Sequence, residues 1–526
     1  MKLSLLALSL GMGAASIAAA QTAQERPALV VLIAIDQFRG DYFDRWAPQL
    51  TGGLARFRAQ SALFPHAWQD HSNTETAPGH AAMLSGREPV HTEIITNGRG
   101  VPDPAAPLIG TSGAGASPRR FVGTTLYDWL VARDSDARVL SVSRKDRGAI
   151  LTVGRAKGDV YWFNDGRFTT SRYYRDTLPS WVTAFDARIS FPGLAGSQWN
   201  LLLPPSSYSE PDSVELENGR TDYTFPHRLP SADSLKTRLE KYPWMDSLTL
   251  DFALAGVRAT GVGKRALASR LANTMPDLVS ISLSTTDAIG HAFGPDSREI
   301  HDQVLRVDRW LGAFMENLEH EIPADRILYV LTADHGVSPM PEIARERTGR
   351  GWRLWLGDLA ASVETALERR YHAEFGVEFD NGLFYADVAA LRARKIDVDS
   401  VSRSIADKAT SRIGVRAAFT PTTLAGSSDS AAVRWRRTLP PTLGWLAVLA
   451  ADSDFVWSTG SIAEHGTPNA LSLSVPIAFM GPGVAVGRYD RLVRTVDIAP
   501  TLAALIGIEP LETLDGAALR EVRPTP

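Results

Sequence analysis

The chain has 526 residues, of which 44% are hydrophobic and 22% are charged, with a formal net charge of -4 and no cysteine. This composition is typical of a soluble globular protein, and it excludes disulfide bonds and thiolate metal ligands. Like charges form no run long enough to indicate a nucleic-acid polymer or a membrane surface as partner, whereas a small anionic substrate needs only a local positive pocket.

The first 20 residues have the pattern of a secretory signal peptide. Lys2 precedes an apolar run that ends in Ala18-Ala19-Ala20, a small-residue cleavage site, before a polar stretch. We therefore expect residues 1–20 to be removed and the protein to be secreted, with the periplasm as its compartment. A retained membrane anchor is the alternative, but glycine and serine weaken the apolar core, so we expect no stable membrane insertion.

The first predicted strand covers residues 28–35, a continuous apolar run that is typical of a strand buried on both faces of a parallel sheet. Asp36 follows directly at its end. Because ligands in open α/β sheets bind beyond the carboxyl ends of strands, Asp36 is a candidate site residue. The alternative is a turn or helix cap.

Residues 73–86 predict a turn that leads into a helix, with Pro78 near the helix start and Thr76 at its N-terminal end. Free backbone N–H groups and the positive end of the helix dipole would suit a phosphate beside the Thr76 hydroxyl. Taken alone, Thr76 would be interpreted as a plain N-cap. Asn97, which precedes Gly98, is by the same local reasoning a turn residue.

A charged stretch, residues 143–150, follows a predicted strand at residues 137–142. If the stretch is extended, the alternation Lys145-Asp146-Arg147 places both cations on the same side. The alternative is a solvated, charged loop.

Further acids and histidines follow other predicted strands. Asp287 and His291 come after the run 277–284, and their spacing of four lets both side chains share a metal across one turn. Asp334 and His335 come after the run 326–331, and His465 lies in a glycine-containing loop before the run 471–480.

Three aspartates and three histidines offer only oxygen and nitrogen ligands, which fit Zn²⁺ better than Mg²⁺. Six ligands are too many for one tetrahedral centre. Two centres with three protein ligands each would leave open positions for a nucleophile or substrate, as catalytic zinc sites do.

These residues, in this order along most of the chain, resemble the alkaline phosphatase superfamily, which also contains nucleotide pyrophosphatase/phosphodiesterases, sulfatases and cofactor-independent phosphoglycerate mutases. The resemblance implies two Zn²⁺ per chain. It assigns Asp287, His291 and His465 to one ion. It assigns Asp36, Asp334 and His335, together with Thr76, to the other.

Thr76 is then the nucleophile that forms a covalent phosphothreonine. By the same resemblance, Asn97 donates to a phosphoryl oxygen.

The element Ser-x-Lys-x-Arg-Gly-Ala is similar to that of the phosphate-insensitive periplasmic alkaline phosphatases with a threonine nucleophile. In that branch the positions of Lys145 and Arg147 bind the oxygens that only a monoester leaves free, and a cation pair favours the higher charge of a monoester. The sulfatase and mutase branches use other nucleophiles, so both are disfavoured. Ala77, where we expect glycine, matters only if that backbone needs a positive φ.

The resemblance implies an α/β fold with a central, mostly parallel sheet and helices on both faces. We expect residues 21–526 to form a single catalytic domain with two insertions. An aromatic-rich insertion at about 155–270 would cap the site, and an α+β insertion at about 341–450 has no evident role.

The sequence therefore predicts a secreted zinc-dependent alkaline phosphatase with a broad range of small phosphorylated metabolites as substrates. The alternative from the same superfamily is a phosphodiesterase or nucleotide pyrophosphatase, in which Lys145 and Arg147 would be loop charges. A catalytically inert binding protein is a third possibility, which the loss of a metal ligand would favour.

Overall fold

We describe the protein from a computed structural model that covers residues 26–269, 274–457 and 460–523. The predicted signal peptide, residues 1–20, lies outside the described residues. Within these ranges, no helix has both the length and the apolar character needed to cross a bilayer.

The strands of the described residues are, in chain order, β1 (Leu29–Ile35), β2 (Ala62–Trp68), β3 (Val139–Ser143), β4 (Asp159–Asn164), β5 (Arg167–Thr169), β6 (Gln198–Trp199), β7 (His227–Arg228), β8 (Asp277–Leu283), β9 (Ile327–Thr332), β10 (Trp352–Leu354), β11 (Glu378–Asp380), β12 (Leu383–Tyr385), β13 (Val415–Phe419), β14 (Trp445–Ala451), β15 (Phe455–Trp457), β16 (Ser474–Met480), β17 (Gly487–Arg488) and β18 (Val493–Arg494).

The α-helices of the same ranges are Tyr42–Arg45, Gly53–Gln60, Thr76–Ser85, Pro89–Thr92, Leu126–Arg133, Asp146–Leu151, Ser180–Asp186, Phe191–Leu194, Ala232–Arg238, Trp244–Thr260, Lys264–Ala268, Thr285–Phe293, Arg298–Glu321, Pro341–Thr348, Gly357–Tyr371, Val388–Ala393, Val398–Thr410, Pro421–Leu424, Ser430–Thr438, Ala470–Leu473 and Ile498–Ile506.

One large mixed sheet organises the molecule, in the order β17-β2-β16-β9-β1-β8-β3-β4-β5, with β18 beside β2. Its centre is parallel, since β1 pairs in parallel with β8 and β9, and β3 with β8 and β4. Strand β16 is antiparallel to both of its neighbours. Every residue of β1, β8 and β9 is buried, as expected for apolar strands covered by helices on both faces. The predicted fold class is confirmed.

The register of the central strands brings the predicted site acids to one edge of the sheet. Ile35 pairs with Leu283, and Ala34 pairs with Thr332, so the three strands end level with one another. The segments that follow these strands therefore start side by side, and they carry Asp36, Asp287 and Asp334.

The two predicted insertions differ in their relation to this sheet. Within the segment 155–270, β4 and β5 continue the main sheet to its edge. Most of that segment's aromatic rings, among them Tyr161 and Trp199, are buried in the main core. The segment 341–450 contributes to a separate four-stranded sheet, β11-β12-β14-β13, which has a hydrophobic cluster of its own.

Candidate active site

Thr76 is the first residue of the helix Thr76–Ser85, and Glu75 is its N-cap. The plain N-cap interpretation of Thr76 is therefore wrong, because its side chain does not cap the helix. Gly79 lets this helix approach the strand-end segment closely, since a Cβ atom there would lie 2.3 Å from the Asp334 carbonyl oxygen. Ala77 has ordinary helical backbone, so its replacement of the expected glycine causes no strain.

Asp287, His291 and His465 converge on one point. His291 Nε2 lies 3.3 Å from Asp287 Oδ1 and 3.1 Å from His465 Nε2, and His465 Nε2 lies 3.6 Å from the same carboxylate oxygen. Asp287 and His291 are four positions apart in the helix Thr285–Phe293, which brings their side chains to the same side of that helix.

Asp36, Asp334 and His335 form a second group beside the first. His335 Nε2 lies 3.5 Å from Asp36 Oδ1 and 3.5 Å from Asp334 Oδ2. All three side chains are completely buried. Asp287 is also close to this group, since ligand atoms of Asp36, Asp287 and His335 lie within 4.8 Å of one another. The carboxylate of Asp287 thus lies between the two groups.

Each of the three histidines presents Nε2 to its group and turns Nδ1 to a backbone carbonyl. The distances are 2.7 Å from His291 to Ala463, 3.0 Å from His335 to Gly336 and 2.6 Å from His465 to Thr74. A proton on Nδ1 satisfies each carbonyl and leaves the Nε2 lone pair facing the carboxylates, as metal-binding histidines require.

That tautomer is a neutral imidazole, and the direction of the pKa shift favours the neutral form at two of the three histidines. Burial, with repulsion from His335 and His291, holds the pKa of His465 well below its usual value. Burial also lowers the pKa of His335. The pKa of His291 is raised against the effect of burial, because the Asp287 carboxylate is adjacent. Neutral imidazole is the metal-binding form, so His335 and His465 are ready to bind.

The residues present fit zinc. Ligands at about 2.0–2.1 Å from a tetrahedral zinc ion are separated from one another by about 3.3 Å, close to the distances within the Asp287 group. In the second group, Asp36 Oδ1, Asp334 Oδ2 and His335 Nε2 are buried and lack hydrogen-bond partners among the described residues. Buried acceptors that face each other in this way are stabilised by a shared cation.

Lys145 lies between the two groups. Its ammonium nitrogen is 2.5 Å from Asp36 Oδ2, 2.7 Å from Asp287 Oδ2 and 3.3 Å from the Thr76 hydroxyl oxygen. The condition of an extended Lys-Asp-Arg stretch is met only at Lys145, which is the N-cap of the helix Asp146–Leu151. The two cations therefore reach the site from the start of a helix and not from one side of a strand.

Arg147 borders the same cavity as Lys145, Asp287 and His291, a space of about 570 Å³. Its closest anion is Asp146, at 3.7 Å, and its buried Nε atom has no hydrogen-bond partner among the described residues. The rest of the cavity wall is mainly polar, and among the described residues no phenylalanine, tyrosine or tryptophan lines it. The aromatic side chains of the described part of segment 155–270 therefore do not contribute to this wall.

Asn97 is fixed beside the start of the Thr76 helix. Its side-chain oxygen accepts a hydrogen bond from the Ala77 backbone N–H at 2.9 Å. Its own backbone N–H donates to Glu75 Oε2 at 2.6 Å. Burial, with repulsion from Asp380, raises the pKa of Glu75 to about 7, and the Arg147 charge opposes that rise.

Sequence reasoning missed two residues that lie against the candidate ligands. The Gln37 backbone N–H donates to Asp334 Oδ1 at 3.1 Å, and its side-chain amide donates to Asp287 Oδ1 at 2.8 Å. His80 Nδ1 lies 3.2 Å from Asp334 Oδ2. Gln37 directly follows Asp36 and His80 comes four positions after Thr76, but nothing in the local sequence indicates which carboxylate they contact.

The chain is similar to known proteins over most of its length. The profile of the type I phosphodiesterase / nucleotide pyrophosphatase family matches residues 30–408. The chain belongs to this family. Its matched range contains the candidate ligands except His465, together with Thr76, Asn97, Lys145 and Arg147.

Several relatives that match over most of their length are named alkaline phosphatases. The chain is 32% identical to alkaline phosphatase PhoV of Synechococcus elongatus, over 97% of each chain. It is 28% identical to alkaline phosphatase PafA of Elizabethkingia meningoseptica, over 92% of each chain. The crystal structure of wild-type PafA matches with a TM-score of 0.84 at 26% identity, covering 95% of this chain and 99% of that one. The resemblance to alkaline phosphatases stated from the sequence is confirmed.

Proposed function

We propose that the protein is a secreted, two-zinc alkaline phosphatase that hydrolyses phosphate monoesters through a phosphothreonine formed on Thr76. Its named relatives support a phosphomonoester hydrolase. The observation that supports the monoester choice most directly is the position of Lys145, 3.3 Å from the Thr76 hydroxyl, in one cavity wall with Arg147.

The proposed metal ligands are the two groups described above. Asp287, His291 and His465 would hold one zinc ion, and Asp36, Asp334 and His335 would hold the other. Zinc bound there would act as a Lewis acid that lowers the pKa of a hydroxyl group and stabilises developing negative charge.

The chain's own residues would then perform the transfer. The Thr76 oxygen attacks phosphorus in line, the alcohol leaves towards the open cavity, and water later cleaves the phosphothreonine to release phosphate. The N-terminal end of the Thr76 helix favours the anionic phosphoryl group. The Asn97 amide would donate to a nonbridging oxygen, while Gln37 holds the Asp287 and Asp334 carboxylates in place.

Lys145 and Arg147 would distinguish monoesters from diesters. A monoester dianion has one more negative charge than a diester and leaves one more nonbridging oxygen free, so two cations near phosphorus favour it. The alternative activity is that of a diesterase, which the name of the matching family supports. In that case the two cations would contribute equally to both substrates.

Paired rate measurements test this function. We expect the purified, zinc-loaded protein to hydrolyse p-nitrophenyl phosphate with a higher kcat/KM than its methyl diester, and metal analysis to give two zinc ions per chain. A preference for the diester would overturn the proposal, and hydrolysis of neither substrate would favour an inert binding protein. Mass spectrometry of the periplasmic fraction tests removal of residues 1–20 and secretion.

A further inference from the structure

The turn between β11 and β12, in the segment 341–450, reaches the loop that leads to Thr76. Asn381 in this turn donates a hydrogen bond from its side-chain nitrogen to Glu75 Oε1 at 2.6 Å. Both side chains are buried, with Asn381 8% and Glu75 4% exposed. A residue far along the chain thus contacts the position directly before the proposed nucleophile.

Glu75 connects this contact to the proposed phosphoryl site. Its second oxygen accepts from the Asn97 backbone N–H at 2.6 Å, and the Asn97 side-chain oxygen accepts from the Ala77 N–H at 2.9 Å. A buried carboxylate is held by its hydrogen-bond donors, and Asn381 and Asn97 each provide one. Loss of the Asn381 donor would free one side of the carboxylate and let it turn away from Asn97.

A backbone angle and one further contact fit Asn381 to this position. It has a positive φ of 45°, which asparagine tolerates better than most residues. Its side chain packs against the backbone next to His465, because a Cβ atom on Gly466 would lie 2.6 Å from Asn381 Cγ. The amide is therefore enclosed between the segments that carry Thr76 and His465.

The same segment holds the loop before Glu75 at other points. The Ser72 backbone N–H donates to Thr438 Oγ1 at 2.8 Å. Arg434 lies 3.3 Å from Asp70, and Arg437 forms an ion pair with the same carboxylate. These contacts anchor the loop, whereas Asn381 hydrogen-bonds to the network that includes Asn97.

We propose that Asn381 is a positioning residue which, through Glu75, holds Asn97 in the orientation that binds the phosphoryl group. This gives the segment 341–450 a role in the reaction, and it rests on the proposed function. Asn381 hydrogen-bonds to Glu75, so its proposed effect on Asn97 is transmitted through the Glu75 carboxylate.

A double-mutant cycle tests the proposal. Asn381→Gly suits the positive φ and removes the whole side chain, including the amide that donates to Glu75. We expect it to lower kcat/KM for p-nitrophenyl phosphate and the affinity for inorganic phosphate about tenfold, with unchanged zinc content. In an Asn97→Ala background, the same change should alter both quantities by less than about twofold, because coupled residues are non-additive.

Asp397→Ala is the matched control. It removes the N-cap of the helix Val398–Thr410 in the same segment, where Asp397 accepts from the Ser400 N–H at 3.1 Å. We expect it to lower the Tm while both quantities stay within twofold of wild type. An equal loss from Asn381→Gly in both backgrounds, or no loss in either, would overturn the positioning role.

The wild-type protein separates this inference from the proposed function. If the wild-type protein hydrolyses the aryl phosphate and Asn381→Gly leaves kcat/KM and phosphate affinity unchanged, the positioning role fails and the proposed function stands. If wild type neither hydrolyses the aryl phosphate nor binds inorganic phosphate, both proposals fail.

Discussion

The Lys145 ammonium nitrogen lies 3.3 Å from the Thr76 hydroxyl oxygen, and both residues are buried. Any group transferred to Thr76 would therefore form within hydrogen-bonding reach of a cation that water does not screen. A charge in such a place stabilises a transition state more strongly than it would at the surface.

Replacement of Thr76 tests the nucleophile. We expect Thr76→Ala to lower kcat at least about 10³-fold and to abolish the phosphoenzyme trapped by acid quenching, because no covalent intermediate can form. Zinc content should stay near that of wild type, since six other ligands remain. Thr76→Ser keeps a hydroxyl and should retain the phosphoenzyme. Residual Thr76→Ala activity within tenfold of wild type would remove Thr76 from this role.

Removal of either cation tests monoester selectivity. We expect Lys145→Ala and Arg147→Ala each to lower monoester kcat/KM about 10²-fold, or ~2.7 kcal/mol, and diester kcat/KM far less. Arg144→Ala is the matched control, because Arg144 lines the same cavity but forms an ion pair with Glu240. Arg144→Ala should lower kcat/KM slightly, and by the same factor for the monoester and the diester. Equal losses from Lys145→Ala on the two esters would show that Lys145 does not sense the additional charge.

Gly290 is expected to control zinc affinity through Gln37. A Cβ atom on Gly290 would lie 1.8 Å from Gln37 Oε1, so Gly290→Ala must displace the side chain that donates to Asp287. Alanine is favoured over glycine in a helix, by about 1 kcal/mol, yet zinc affinity should fall about 10-fold to 100-fold. Titration with a competing chelator measures the zinc affinity of Gly290→Ala and of wild type.

The double variant Gln37→Ala/Gly290→Ala provides the control for that pathway. It should bind zinc no more weakly than Gln37→Ala alone, because the displaced group is already absent. A further loss in the double variant would mean that Gly290→Ala acts on the helix Thr285–Phe293 itself.

The buried Glu88 carboxyl group should make the stability of the folded protein depend on pH. Its carboxylate is 2% exposed, neither oxygen has a hydrogen-bond partner among the described residues, and burial raises its pKa to about 8. The unfolded pKa is about 4.3, so the folded state binds the extra proton between these values. Its contribution to stability therefore falls as pH rises from about 4.3 to about 8.

Glu88→Gln should remove this dependence. We expect its Tm to exceed that of wild type at pH 9 by more than at pH 5.5, as measured by thermal unfolding. Glu521→Gln is the control, because its ion pair with Arg491 lowers the pKa of Glu521. That carboxylate is ionised in both states at both pH values, so its effect on Tm should be the same at pH 5.5 and pH 9.

The sequence alone located much of the framework of the fold. The apolar run 28–35 predicted β1 (Leu29–Ile35) within one residue, and the run 326–331 predicted β9 (Ile327–Thr332). A strand buried on both faces must be continuously apolar, so its ends are visible wherever a polar residue interrupts the run. Asp36 and Asp334 were found as candidates because they follow such ends.

Only the tertiary structure decided how these residues meet. Asp287 lies against both groups, Lys145 reaches Thr76 from the start of a helix, and Gln37 connects Asp334 with Asp287. Asn381 contacts Glu75 across 306 positions of sequence. Such contacts depend on how elements pack in three dimensions, and the periodicity of a sequence reports only the burial of each element along its own length.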